Sequence, residues 1–95
     1  MQINVEFLGL PMVSDLVGRK RLEVDIQGET VNDVIDELIK RYGKTMREAF
    51  YDVEGNFDTA MQITLNGKSF IFADKRDTHL KEGDNLIFML LLAGG

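Results

Sequence analysis

Seven apolar residues stand side by side late in the chain: Leu86, Ile87, Phe88, Met89, Leu90, Leu91 and Leu92. A half-buried strand alternates apolar with polar residues, and a surface helix repeats its apolar positions every third or fourth residue. A run that is apolar on both parities fits neither pattern. Opened by the turn-like Lys81, Glu82, Gly83, Asp84 and Asn85, it reads as a strand covered on both faces, which belongs in the middle of a sheet.

Ala93, Gly94 and Gly95 follow this strand without a polar linker. Glycine neither stabilises a strand nor packs a core, so residues 92–95 (Leu92 and these three) are expected to form a flexible tail ending in a free carboxylate. So slim a segment enters a tunnel that any Cβ would block, which makes Gly95 the expected reactive group. Fraying without function is the ordinary state of chain ends, but here the tail hangs directly on an anchored strand.

Residues 2–8 alternate, with Ile3, Val5 and Phe7 on one parity and Leu8 on the other. Leu22, Val24 and Ile26 repeat the pattern in a second strand that ends at Gly28. Between them Gly9, Pro11, Ser14, Asp15 and Gly18 predict a loop holding at most one helical turn. Thr30 then stands as an N-cap, with Asp33 placed to complete a capping box. Val31, Val34, Ile35, Leu38, Ile39 and Tyr42 form one apolar stripe, and Gly43 is expected as a left-handed residue after the helix.

Residues 45–51 read as a short second helix and 52–58 as a loop, with Phe50, Tyr51 and Phe57 forming a small satellite core. Met61, Ile63 and Leu65 alternate in a third strand, Asn66-Gly67 signals a tight hairpin, and 69–72 would return. Residues 74–78 read as a solvated connection. The order predicts an α+β fold: a mixed sheet of four to five strands, one main helix across one face, and the first and last strands parallel neighbours at its centre.

Ninety-five residues suit a single domain. The absence of cysteine excludes disulfides, thiolate metal sites and Cys nucleophiles. A net charge of −5 argues against nucleic acid. The apolar run is too short to span a bilayer, and the start has no basic n-region, so no membrane association and a cytoplasmic location are expected. His79 stands alone, and Asp74, Asp77, Glu82 and Asp84 lack calcium-ligand spacing, so no metal site is expected. Parity places Leu8, Ile87, Met89 and Leu91 opposite the helix-covered face, where an apolar patch would dock a partner. The alternative is that residues 45–51 fold over that face and bury it.

The segment from Thr30 through Asp33 to Leu38, the turn at Leu80, Gly83 and Asp84, the Asn66-Gly67 pair and the terminal Ala93-Gly94-Gly95 together resemble the MoaD/ThiS family of sulfur carrier proteins, which have a ubiquitin-like β-grasp fold. The likeness runs over essentially the whole chain. The long first strand, the loop through Gly18 and the length look most like the molybdopterin synthase small subunit. That group often carries a Pro-Pro pair ahead of the tail where this chain has Leu90-Leu91-Leu92, so thiamine and tungsten-cofactor routes stay open.

The resemblance implies a protein co-substrate rather than an enzyme. An E1-like adenylating enzyme would activate the Gly95 carboxylate, with ATP and metal bound by that partner and no cofactor on this chain. A thiocarboxylate on Gly95 would then supply sulfur to a synthase, with Gly94 and Ala93 giving the slim profile its tunnel requires. A ubiquitin-like modifier joined through Gly95 to lysines, and a β-grasp binding module indifferent to its tail, are the competing functions.

Overall fold

The computed structural model describes residues 1–90. Strand β1 (Gln2–Leu8) is followed by helix α1 (Pro11–Val17), strand β2 (Arg21–Asp25), helices α2 (Val31–Tyr42) and α3 (Lys44–Phe50), and strands β3 (Met61–Leu65), β4 (Ser69–Phe70) and β5 (Asn85–Leu90). A short 3-10 turn, Ala73–Lys75, lies between β4 and β5. The five strands form one sheet in the order β2-β1-β5-β3-β4. β1 and β5 run parallel at its centre, and every other pairing is antiparallel. This is the mixed β-grasp sheet that the apolar run demands, with β5 flanked on both sides.

Ile3, Val5, Phe7, Leu86 and Phe88 share one face and are buried with Val34, Ile35 and Leu38 of α2. The long helix is held at its start by the expected capping box: Asp33 N–H donates to Thr30 Oγ1, and Asp33 Oδ2 accepts from Thr30 N–H at 2.9 Å. The same oxygen also accepts from Glu29 N–H at 2.9 Å and Thr30 Oγ1 at 2.8 Å. A Cβ at residue 28 would overlap this carboxylate, which explains why the chain turns there on glycine. The Thr30 amide bond, then the hydroxyl bond, hold the Asp33 carboxyl below its usual range.

Several expectations are corrected. Residues 11–17 are a helix rather than a loop: Pro11 occupies its first turn, and Gly18 closes it in the left-handed region with its N–H on Ser14 O at 2.8 Å. Those punctuating residues bracket a helix here instead of breaking one. Gly43 has a positive φ of 80°, but its ψ of −148° lies outside the left-handed helical region. Its N–H caps α2 on Ile39 O while its carbonyl accepts from Arg47 N–H in α3, a sharp corner open to glycine alone.

The returning strand stops at Phe70, because the Phe72 carbonyl is drawn into the 3-10 turn by Lys75 N–H at 2.8 Å. The expected satellite core divides. Phe50 is fully buried in the main core, edge-on to Phe88 at 5.0 Å, while Tyr51 and Phe57 lie at its margin. Residues 74–78 are more than a solvated connection. The Arg76 guanidinium lies 4.1 Å from the Phe57 ring centre and donates to Tyr51 Oη and Asn32 Oδ1.

Candidate functional site

The point where β5 ends is fixed from both sides. Leu8 of β1 pairs with Met89, and Met61 of β3 pairs with Leu90. β1 then leaves the sheet at Gly9, whose φ of 68° turns the chain toward α1. Both neighbouring strands therefore run out level with residue 90, and no described strand continues the ladder beyond it. A Cβ on Gly9 would sit 3.0 Å from the Leu90 carbonyl oxygen. Gly9 thus leaves clearance beside the Leu90 carbonyl, a role invisible to sequence reasoning because its contact lies 81 residues away by number (90 − 9). The expected site residues Leu91, Leu92, Ala93, Gly94 and Gly95 lie outside the described residues.

The sheet face opposite the core carries Leu8, Ile87 and Met89, all half-buried. Register places Ile87 between Glu6 and Thr64, and Met89 between Leu8 and Gln62. Residues 45–51 do not fold over this face: Met46 and Phe50 of α3 are fully buried in the core cluster on the other side. Sequence reasoning missed the most exposed part of the patch. Phe70 pairs with Thr64 and so shares the open face, 61% exposed, and Phe72, two residues on, is 69% exposed. The alternation of β3, carried through the Asn66-Gly67 turn, was the signal that could have found them.

Toward β2 the face turns polar. Arg21 Nε donates to Glu6 Oε1 at 3.2 Å, and Gln2 Nε2 donates to Glu23 at 2.8 Å. Among the described residues no three His, Asp or Glu side chains converge as a metal ion requires. The arrangement can present a main chain from the middle of a rigid sheet beside an apolar face with a polar flank.

The ThiS family model matches residues 12–95. A protein of Archaeoglobus fulgidus named "putative sulfur carrier protein" is 30% identical over 74 residues, which cover 78% of this chain and 83% of that one. Among solved structures, SAMP1 of Haloferax volcanii superposes over the full length of both chains with a TM-score of 0.80 at 18% identity. The Amycolatopsis orientalis BexX/CysO complex contains a chain similar at a TM-score of 0.71 and 22% identity, with 98% of this chain and 99% of that one covered. The "putative molybdopterin converting factor, subunit 1" of Pyrococcus furiosus gives 0.64 at 23% identity, with 97% and 99% covered. These likenesses agree on the β-grasp fold. With a family model matched from the first helix onward, the chain belongs to the ThiS family.

Proposed function

We propose that the protein is a sulfur carrier whose working group is the Gly95 carboxylate. Family membership supports this reading, and one observation carries it: β5 leads out of the centre of the sheet at a level where both flanking strands end. A carboxylate is a poor electrophile until one oxygen becomes a leaving group. In the E1-like partner, a Gly95 oxygen attacks the α-phosphorus of ATP and releases pyrophosphate. A persulfide sulfur of a partner then attacks the carbonyl carbon and AMP leaves. A second thiol cleaves the S–S bond, and a thiocarboxylate remains on Gly95. That sulfur passes to a cofactor precursor in a synthase, of molybdopterin type in the first instance, with tungsten-cofactor and thiamine routes as variants. The protein is a co-substrate acting in the cytoplasm, where ATP is at hand.

Leu8, Ile87 and Met89, with Leu91 beyond them and Phe70 beside them, form the surface on which the activating enzyme and the synthase dock in turn. Met89 suits a face that meets two partners, because its flexible thioether adapts to different contours. Gly94 and Ala93 keep the approach to the reactive carbon narrow.

The second reading, a modifier joined through Gly95 to lysines of target proteins, is favoured by the fold likeness to SAMP1. Intact-mass spectrometry of protein recovered from its own cells separates the two. Exchange of one oxygen for one sulfur supports the carrier, and covalent adducts with other proteins support the modifier. A mass that stays unmodified in cells making the cofactors would remove both.

A further inference from the structure

The two edges of the sheet are defended very differently. β2 sets charged residues Arg21, Glu23 and Asp25 at alternate positions along its edge, a common guard against strand pairing. β4 has no such guard: Phe70 and Phe72 are 61% and 69% exposed beside a buried Ile71. Ile71 N–H bonds to Ile63 O at 2.8 Å, so the alternation of the ladder turns the Phe70 and Phe72 amides away from β3, toward solvent.

The sequence of this edge is chemically symmetric. Lys68, Ser69, Phe70, Ile71, Phe72, Ala73 and Asp74 read as cation, small, aromatic, branched, aromatic, small, anion. We propose that the β4 edge pairs antiparallel with the same edge of a second copy, centred on Ile71, to join two sheets into one. In that register each Phe70 faces the partner copy's residue 72, while Lys68 in the hairpin turn and Asp74 in the 3-10 turn flank the two ends of this short stretch, so that each Lys68 comes near residue 74 of the other copy. Lys68 and Asp74 are both exposed, and neither forms an ion pair among the described residues.

Aromatic and opposite-charge pairs directly across an antiparallel ladder are mutually favourable. A two-fold interface requires this self-complementarity, since each residue must meet what its own partner meets. Moving the two-fold centre to residue 70 or to residue 72 breaks it: Lys68 would face Phe72, or Phe70 would face Asp74. The shared edge is short and each copy carries −5, so the pair is weak and depends on concentration. The proposal is independent of the sulfur-carrier reading.

Sedimentation velocity on the full chain, taken up to about 1 mM, is expected to show a monomer passing to a dimer with no larger species. Amide exchange followed by NMR should slow at Phe70 and Phe72 as concentration rises, and not at β2. Lys68→Glu alone and Asp74→Lys alone should each weaken association about tenfold, by setting like charges across both ends of the ladder. The two changes together should restore it to within about twofold, because the pairs re-form with reversed sign. All three are exposed-site variants whose melting curves should match the parent. A chain that stays monomeric throughout, growth beyond a dimer, or a double variant no tighter than the singles would each overturn the proposal.

Discussion

Gly9 and Asp33 each hold a turn of the chain in place, by opposite means. Gly9 does so by lacking atoms. Its φ of 68° is a left-handed conformation that an L side chain adopts at a cost of about 1 kcal/mol or more, and a Cβ would press on the Leu90 carbonyl at 3.0 Å. Gly9→Ala is therefore expected to lower the melting temperature by about 4–8 °C per kcal/mol lost. It should also slow adenylation by the activating enzyme more than an equally destabilising core change does, which a kcat/KM comparison would read.

Asp33 works through what it accepts. Its carboxyl is held below the usual range by the Thr30 amide and hydroxyl, so the folded form releases its proton more readily than the unfolded one. The stability it adds is complete above the unfolded value of about 4 and drains away as pH falls through the lower folded value. Urea unfolding from neutral pH to about pH 3 should show this loss, and Asp33→Asn should flatten that part of the profile. The capping box was legible in sequence because all its members lie within four residues. The need for glycine at positions 9 and 28 was not, because it arises from atoms brought close only by the folded chain.

Among the elements, β1, β2, α2 and β3 follow directly from periodicity. Each buries one face of a regular repeat: Ile3, Val5 and Phe7 in β1, or Val31, Val34, Ile35 and Leu38 in α2. Helix α1 escaped because only Val13 is fully buried in its seven residues, too few to reveal a period. The side on which α3 packs was also open in sequence, and it was settled by Phe50 meeting Phe88. That packing leaves the far face of β5 uncovered by α3. Ile87→Glu and Met89→Arg are expected to fold normally and to weaken binding to the activating enzyme by about 1–3 kcal/mol each, measurable by calorimetric titration. Lys40→Glu, on the exposed side of α2, should change binding little. Equal losses at both places would remove the open face as the docking surface.

For the molecule as a whole, the strand order β2-β1-β5-β3-β4 puts late sequence between early sequence. The apolar run gave this away, since a strand apolar on both parities has to be interior. The edges could not be ranked the same way, because β4 is only two residues long and its exposure depends on what lies outside it. Removing residues 85–95 should leave β1 and β3 without a neighbour between them and the chain unfolded by circular dichroism, although every helix is retained in sequence.

The central position of β5 has a consequence for biosynthesis. A nascent chain that has left the ribosome only as far as Asp84 holds both walls of a slot and nothing to fill it. Closure must wait for the six residues Asn85–Leu90, whose pairing with β1 spans most of the polypeptide. An interrupted translation product would therefore hold an open, unfinished sheet, and only copies made at least to Leu90 could close it.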